Sequence, residues 1–302
     1  MVTGRFNLGV PKPFSFWRTV YSHGWCTLPP FYVDKDGERL ERILRLGDGT
    51  LVHCILRDAK SGIVVTTRSH GPLTPSHRKE IISQLRTSLR LDEDLSAFIA
   101  AAKKHPRFKW VVSSGCGRLL RAPTVFEDVV KTMCTTNCAW ALTEVMVKNL
   151  TRHLGEPLDG GLHSFPKPET MASVTEKFMR KNIRSGYRSP YLIEFADRVA
   201  SGALDVESWR TSPRPTEELF REVKGIKGIG EYAAGSLLRL FGRYDYLALD
   251  SWVRGKYSEL HHRGRAISDK TIERAYKPYG KWRGLFFWFE MTEHWLNQKF
   301  PF

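Results

Sequence analysis

The chain has 302 residues, with 47 lysines and arginines against 32 aspartates and glutamates, a net charge of +15. Such a surplus predicts an anionic partner, nucleic acid first and an anionic membrane surface second, although a solvated basic surface would have the same composition. No apolar run is long enough to span a membrane, and the first residues lack an apolar signal core, so we expect an intracellular protein that is not membrane-bound. The five cysteines are scattered and odd in number, which argues against a disulfide framework and suits a reducing compartment.

Residues 14 to about 112 alternate short β-rich runs with turns. The runs 39–46, 51–56 and 63–67 are separated by turn sequences rich in glycine, aspartate and serine. This pattern predicts a β-meander. Two helices are predicted to follow it, over residues 76–89 and 92–104, from the spacing of their apolar residues. We therefore predict an N-terminal α+β domain over residues 1–112, built on an antiparallel sheet.

A helical body is predicted for residues 113–302. Thr124 and Glu127 have the spacing of a capping box, and the helix that they begin is predicted to continue to Trp140. Cys134 and Cys138 would then share one helical face. Two cysteines do not make a zinc site, so we interpret them as core or half-buried thiols.

A basic segment follows the proline-rich stretch of residues 165–169, in which Pro168 is suited to the first turn of a helix. Between residues 177 and 200, basic side chains alternate with the aromatic residues Tyr187 and Tyr191; the basic ones are Arg180, Lys181, Arg184 and Arg188. Some of these charges are expected to meet phosphates. A solvated basic face is an equally good interpretation.

Three glycines, Gly225, Gly228 and Gly230, lie between two runs with helical spacing, residues 217–223 and 233–241. This arrangement predicts a tight hairpin between two helices. Without Cβ atoms, the hairpin can bring its backbone N–H groups against a phosphate at the N-terminal end of the second helix. The alternative is an ordinary turn between helices.

Asp250 lies where a loop is predicted to enter a helix, because it follows residues 244–249 and precedes an apolar and basic run that starts at Trp252. A carboxylate at that position is a candidate for catalysis. It is equally a candidate for the helix N-cap.

Together these features resemble the helix-hairpin-helix DNA glycosylase superfamily, in particular its 8-oxoguanine and 3-methyladenine (alkylation-repair) enzymes. The resemblance rests on Gly228, Gly230 and the small Ala234, followed by Asp250 before a helix. Three further segments are similar to family motifs: residues 134–140, 165–169 and 281–288, the last being like the family's final helix. The resemblance implies a hairpin that grips the DNA backbone and an aspartate that serves base excision.

The resemblance also assigns roles to individual residues. Asp250 would be catalytic, with Asp245 a less favoured candidate. Asn137 would fill the hole left by a flipped-out nucleotide; the alternative is a polar residue in mid-helix that faces solvent. The DNA-binding residues would be Gly225, Lys227, Gly228, Gly230, Tyr232, Asn137, Arg184 and Arg188.

The base pocket would contain Trp252, Trp288 and Ser236, although both tryptophans could instead belong to the core. The backbone carbonyls of Lys224, Ile226 and Ile229 are candidates for holding a monovalent cation, Na⁺ or K⁺. No other cofactor is expected. The four-cysteine iron–sulfur loop of some glycosylases is absent from the sequence, since no cysteine follows Cys138.

The predicted activity follows from two departures from the family pattern. Tyr232 stands where the bifunctional enzymes carry a lysine nucleophile, and a phenol forms no Schiff base, so no β-lyase step is expected. Gly284 stands where the oxidised-guanine branch has a base-reading glutamine. Aromatic faces favour cationic, electron-poor bases. We therefore predict a monofunctional glycosylase for damaged purines, alkylated ones first.

Alternatives remain within and outside that class. Within it are an 8-oxoguanine-type glycosylase and a mismatch glycosylase. Outside it is a helix-hairpin-helix module that binds DNA without catalysis. The expected partner is double-stranded DNA that contains a damaged base, bound by a monomer in the cytoplasm, nucleoid or nucleus.

Overall fold

The computed structural model describes residues 1–296 of the chain. These residues form two compact units. The first contains residues 1–93 and 118–205, and the second contains residues 94–117 and 206–296. None of the helices within residues 1–296 combines the length and apolar character that crossing a bilayer requires.

The first unit is built on a five-stranded antiparallel sheet with the strand order β1-β5-β4-β3-β2. Its strands are β1 (Val2–Leu8), β2 (Phe31–Asp34), β3 (Arg39–Arg45), β4 (Leu51–Ala59) and β5 (Gly62–Ser69). The predicted meander corresponds to β3, β4 and β5, and the α+β fold class is confirmed. The prediction missed the two edge strands. β1 alternates only weakly and is fixed by pairing with β5, from Val2 opposite Ser69 to Leu8 opposite Ile63.

Helices account for most of the remaining chain. The longer ones are α2 (Pro75–Leu89), α3 (Ser96–Lys104), α5 (Val125–Thr135), α6 (Trp140–Leu154), α9 (Ser189–Ala200), α10 (Thr216–Lys224), α11 (Glu231–Phe241), α12 (Ser251–His262), α13 (Asp269–Tyr276) and α14 (Arg283–Thr292). The shorter ones are α1 (Phe16–Val20), α4 (Lys109–Ser113), α7 (Pro168–Ala172) and α8 (Glu176–Phe178). A short hairpin joins β6 (Pro157–Leu158) to β7 (Leu162–His163). A π-turn (Met179–Ile183) and short 3-10 segments connect several of these elements.

A buried ionic group attaches α5 to the sheet of the first unit. Glu127 accepts two hydrogen bonds from Arg42 on β3, at 2.7 and 2.6 Å, and pairs with Lys131 at 2.8 Å. Burial opposes the ionisation of Glu127, but the two neighbouring positive charges outweigh it and hold its pKa well below the usual range. The capping box is therefore only half formed. Thr124 does cap α5 through the Glu127 N–H, but the Glu127 side chain is engaged elsewhere.

The helix predicted to run from Thr124 to Trp140 is interrupted. α5 ends at Thr135 and α6 begins at Trp140. Asn137 between them has a φ of +47°, in the left-handed region that stops a helix. Cys138 consequently lies outside the helix and donates through its Sγ to the Cys134 carbonyl at 3.1 Å, so the two thiols do not share a helical face.

The second unit brings residues from the middle of the chain together with its C-terminal helices. Phe98 of α3 and Phe108 are fully buried, and their rings lie 5.0 and 4.7 Å from that of Phe286 in α14. This aromatic core explains why residues 94–117 group with 206–296 rather than with the sheet. The predicted division into domains at residues 112 and 113 was based on a change from β-rich to helical sequence. It stays a prediction.

Candidate active site and nucleic-acid interface

The glycine hairpin joins α10 to α11 as the spacing predicts. Gly228 has a φ of +87°, and the turn is closed by the Ile229 N–H, which donates to the Ile226 carbonyl at 3.0 Å. The side chains of Ile226 and Ile229 are buried and anchor the turn, whereas Gly225, Lys227 and Gly230 are exposed. The hairpin thus presents backbone and one basic side chain to solvent.

The N-terminus of α11 begins in this exposed turn. Gly230 is its N-cap residue and offers no side-chain cap. The first N–H groups of the helix therefore meet an exposed surface, where the helix dipole favours an anion. The negatively charged Glu231 lies in the first turn, next to these N–H groups, and its charge is partly compensated by Lys224 at 3.7 Å. This geometry suits a phosphate that approaches the backbone of Gly228 and Gly230.

Two glycine substitutions should separate the fold of the hairpin from its contact with DNA. In Gly230→Thr an added Cβ meets nothing within 4 Å, φ is −85°, and threonine caps helices about as well as glycine, so thermal stability should be unchanged. Its affinity for DNA of any sequence should fall about tenfold or more, or about 1.4 kcal/mol, because the side chain would block a phosphate. Gly228→Ala should lower stability by roughly 1 kcal/mol, because φ is positive there.

Fluorescence anisotropy on two unrelated duplexes, with thermal unfolding alongside, measures both effects. Wild-type affinity in Gly230→Thr would show that the hairpin does not contact the DNA.

Asp250 occupies the N-cap of α12, so the structural interpretation of this residue holds. Its Oδ1 accepts the Val253 N–H at 2.7 Å, and its side chain is half-buried. This cap fixes the carboxylate on a helix that starts in the second unit. A carboxylate has two oxygens, so capping through Oδ1 leaves its charge available for a second purpose.

Three polar side chains share one face of α11 and lie near Asp250. Tyr232, Ser236 and Arg239 are separated by four and three residues, the spacing of one helical face. Burial, and then the negative charge of Asp250, raise the pKa of Tyr232 to about 12. The Oγ of Ser236 is buried and lies close enough to the Tyr232 hydroxyl to act in the opposite direction, towards a lower pKa for that phenol.

Arg239 is a charged residue inside an otherwise apolar run of α11. Its side chain is only 8% exposed, and its guanidinium carbon lies 4.0 Å above the ring of Trp288. Burial lowers the pKa of Arg239 to about 10, against the opposing effects of Tyr232 and Asp250. At neutral pH the group is therefore a buried cation within electrostatic reach of the Asp250 carboxylate.

The tryptophans at this position differ in exposure. Trp288 is 8% exposed, whereas Trp252 is 42% exposed. Trp252 lies 6.3 Å from Trp288 and 5.7 Å from Trp295, measured between ring centroids. Trp288 is therefore almost completely packed against its neighbours, whereas Trp252 exposes a large part of its ring to solvent. We call Tyr232, Ser236, Arg239, Asp250, Trp252 and Trp288 the Asp250 cluster.

Gly284 is required by packing rather than by a ligand. Its N–H donates to the Tyr244 carbonyl at 2.6 Å. A Cβ at this position would lie 2.8 Å from the Tyr244 carbonyl oxygen and closer still to that of Tyr246. Without a backbone shift, no residue with a side chain fits there, so this position carries no base-reading side chain.

Asp245 is engaged elsewhere in the second unit. Its Oδ1 accepts the Thr216 hydroxyl at 2.8 Å, and its carbonyl accepts the Arg283 Nε at 2.6 Å. These bonds hold the loop before α12 against α10 and α14. The structure thus gives Asp245 a packing role in the same loop that presents Asp250.

In the first unit, Asn137 projects from the turn between α5 and α6. It is exposed, and its Nδ2 donates to the hydroxyl of Tyr187 at 3.3 Å. Tyr187 is 46% exposed and carries the Arg188 guanidinium 4.5 Å over its ring. A turn residue with an exposed aromatic neighbour differs from the mid-helix residue of the alternative interpretation.

The two predicted arginines of this region are placed differently. Arg184 is exposed, with a φ of +67° at the end of the π-turn. Arg188 is 4% exposed and donates through its Nε to the Thr136 Oγ1 at 3.3 Å and through a terminal nitrogen to the Thr136 carbonyl. Arg184 is therefore open to a phosphate, whereas Arg188 supports the turn that carries Asn137.

Sequence reasoning missed Arg239 and Trp295. Arg239 could have been found as a lone arginine that continues the helical face of Tyr232 and Ser236. The contact of Trp295 with Trp252 joins two helical segments more than forty residues apart, and no local pattern predicts it.

The chain was compared with known proteins. No protein-family model matches it. It is 23% identical over 204 residues to the DNA-3-methyladenine glycosylase of Bacillus subtilis (strain 168), covering 66% of this chain and 67% of that protein. The 3-methyladenine DNA glycosylase from Archaeoglobus fulgidus has a TM-score of 0.74 at 17% identity, with 97% of this chain and 99% of that one covered.

Two solved structures of similar fold contain DNA. MBOgg1 in complex with a low-affinity DNA ligand has a TM-score of 0.70 at 18% identity, covering 97% and 96% of the two chains. The Clostridium acetobutylicum 8-oxoguanine glycosylase/lyase, bound to double-stranded DNA, has a TM-score of 0.65 at 17% identity, covering 90% and 99%. This chain resembles the helix-hairpin-helix DNA glycosylases. The similarity in fold covers the five-stranded sheet and the helical body of this chain together, since the match spans 97% of it.

The roles that the glycosylase resemblance implies for individual residues stay predictions, and so does the monovalent cation. Its three carbonyl ligands lie in the α10–α11 turn, and that of Ile226 also accepts the Ile229 N–H. A carbonyl oxygen has two lone pairs, so the bond does not exclude a cation. The part of the chain that the structure describes contains no group of three or more histidine, cysteine or acidic side chains able to hold a metal. Backbone oxygens are thus the donors that the hairpin offers.

Proposed function

We propose that this chain is a DNA glycosylase that flips a damaged purine out of duplex DNA and hydrolyses its N-glycosidic bond. The observation that carries the proposal is the Asp250 cluster. It combines a half-buried carboxylate fixed on a helix N-cap, a buried hydroxyl at Ser236 and an exposed tryptophan two residues after the carboxylate. A protein that only binds DNA needs none of these.

Binding to DNA is proposed to rest on the hairpin and on the net charge of +15. Phosphate contacts give affinity without sequence preference. A base stacked in a duplex cannot be reached, so extrusion costs a few kcal/mol, and side chains that replace the lost stacking lower that cost. Asn137 and Tyr187 at the exposed α5–α6 turn are suited to that task.

Asp250 is proposed to stabilise the cation that forms on the deoxyribose. As the C1′–N9 bond lengthens, positive charge develops on the sugar, and a carboxylate already fixed in position stabilises that charge without reorganisation. The same carboxylate can orient the attacking water and accept its proton. The Val253 N–H holds Oδ1 in place throughout.

The reaction is proposed to stop at base release. Tyr232 stands beside Asp250, and its pKa, raised to about 12 by burial and then by Asp250, keeps it a neutral phenol. It therefore supplies no amine for a covalent intermediate with the sugar. Lys227 lies on the exposed side of the hairpin turn.

An alkylated purine, whether charged or uncharged, is the first lesion to expect from a site with an exposed aromatic ring on which the base can stack. Gly284 offers no side chain to read an oxidised guanine, which supports placing the 8-oxoguanine-type alternative second. The protein is proposed to act as a monomer associated with DNA.

A panel of duplexes tests the proposal. Each contains one lesion: an alkylated purine, an oxidised guanine, hypoxanthine or a mismatch. Alkali added after the reaction should cleave strands that have lost a base, and at least one purine lesion should give cleavage above the undamaged duplex. Binding to every duplex with no cleavage after alkali would instead support a non-catalytic DNA-binding module. Asp250→Asn should lose this cleavage, and Asp245→Asn is its matched control, since that carboxylate lies in the same loop but bonds to Thr216.

A further inference from the structure

Arg239 belongs to the Asp250 cluster but has no role in the base release proposed for Asp250. It is nearly fully buried, and a buried charge is costly unless other groups compensate it. Part of that compensation lies in the site. The guanidinium stacks on Trp288, and Tyr232, Asp250 and, outside the cluster, Tyr244 act electrostatically on it. An apolar side chain at position 239 would pack equally well in the core. The buried charge therefore indicates a function.

The position of Arg239 also changes what the tryptophans can bind. One face of Trp288 is already covered by a cation at 4.0 Å. A positively charged base brought to the same group of side chains would meet that cation rather than an open π-face. Trp252 remains exposed, and its ring can stack on a neutral base as readily as on a charged one. The arginine therefore makes this group of side chains less favourable for a cationic base.

The charge of the lesion decides what its departure requires. When C1′–N9 breaks, the bonding electron pair stays on N9. An N7- or N3-alkylated purine starts as a cation and leaves neutral. An uncharged purine leaves as an anion, which a nearby guanidinium stabilises by charge and hydrogen bonding. The water oxygen then bonds to C1′, its proton passes to Asp250, and the departing purine anion gains one proton from solvent.

We propose that Arg239 is a leaving-group and specificity-determining residue, and that it directs this site to uncharged modified purines rather than to cationic N-alkylated ones. Tyr232, Ser236 and Arg239 lie along one face of α11, which places two neutral hydroxyls and a cation in a row, and Asp250 interacts with Tyr232 and Arg239 at its two ends. Acceptor atoms on the edge of an uncharged purine match that row. This inference rests on the proposed glycosylase activity.

The test compares two duplexes under single-turnover conditions. One contains an uncharged lesion, hypoxanthine or 1,N6-ethenoadenine, and the other contains cationic 7-methylguanine. Each rate is divided by the spontaneous depurination rate of the same duplex, since the cationic base is lost more readily without any enzyme. Wild type should give the larger enhancement on an uncharged lesion. A larger enhancement on 7-methylguanine would overturn the inference.

Variants then identify the residue. Arg239→Met keeps bulk but removes charge, and it should lose about 100-fold or more on the uncharged lesion and less than about 5-fold on 7-methylguanine. Arg239→Lys retains a charge and should recover part of the first loss. Arg274→Met, which removes an exposed charge from α13 of the same unit, should change neither rate.

The ratio of the two rates in one preparation is independent of the folded fraction. A variant of reduced stability therefore still reports on the inference, and if Arg239→Met is insoluble, Arg239→Lys should still show a lower ratio than wild type. Equal losses on both lesions would assign Arg239 to structure alone. Base release from neither duplex, nor from any other lesion, would instead refute the glycosylase activity on which the inference rests.

Discussion

Asp250→Asn should slow base excision roughly a thousand-fold, equivalent to about 4 kcal/mol of barrier, while DNA binding stays intact or tightens. The variant removes the negative charge that opposes the sugar cation. It also removes repulsion between that charge and the phosphates. Asparagine caps helices as well as aspartate does, so the hydrogen bond from the Val253 N–H should persist and α12 should keep its start.

This separation of cap from charge makes the experiment decisive. Asp250→Asn should melt at the wild-type temperature, whereas Asp250→Ala loses the cap and should cost about 1 kcal/mol of stability in addition to activity. Single-turnover excision, anisotropy on the same duplex and thermal unfolding measure the three effects. Near-normal excision by the asparagine variant would show that Asp250 is only an N-cap.

Local patterns were sufficient for the elements around the site. The positive φ of Gly228 and the cap at Asp250 are properties of a few neighbouring residues, and so were readable from the sequence. The meander was readable for the same reason, since its turns carry glycine at fixed places. The strand β1 was missed because its partner β5 lies sixty residues away.

The break between α5 and α6 shows where local reasoning fails. Residues 134–140 contain no glycine or proline, the strongest signals for the end of a helix, and Thr135, Thr136 and Asn137 disfavour a helix only weakly. Asn137 adopts the left-handed conformation in a tertiary setting where Arg188 holds the Thr136 carbonyl. A non-glycine residue with positive φ is uncommon and costs about 1–2 kcal/mol, so the surrounding contacts must over-determine it.

Charge placement in the Asp250 cluster was only partly predictable. The sequence indicated an aspartate, a tyrosine and two tryptophans, but the stacking of Arg239 on Trp288 joins positions 49 residues apart. Proximity of that kind is set by how α11 packs with α14, and it alters the charge that the site prefers.

The second large effect concerns the amine that the site lacks. Borohydride added during turnover should trap no covalent adduct between wild-type protein and DNA, because Tyr232 occupies the position beside Asp250 and cannot form an imine. Alkali-independent strand cleavage should likewise stay at background. Tyr232→Lys should introduce both trapping and weak strand cleavage, since it places an amine on the same face of α11 as Ser236.

The environment that raises the pKa of Tyr232 favours this gain of function. Burial penalises charge, so it should lower the pKa of a lysine amine there, and the nearby Arg239 cation acts in the same direction. Asp250 opposes both effects and keeps part of the amine protonated. Trapping by Tyr232→Lys should therefore increase as the pH rises from neutral, because the free amine is the nucleophile.

Two controls isolate the position. Tyr232→Phe removes the hydroxyl without adding an amine and should trap nothing. Lys227→Gln in the Tyr232→Lys background should trap as strongly as Tyr232→Lys alone, since Lys227 lies on the exposed side of the turn. Robust trapping by the wild-type protein would contradict a purely hydrolytic mechanism, and its loss in Lys227→Gln would then identify the hairpin lysine as the nucleophile.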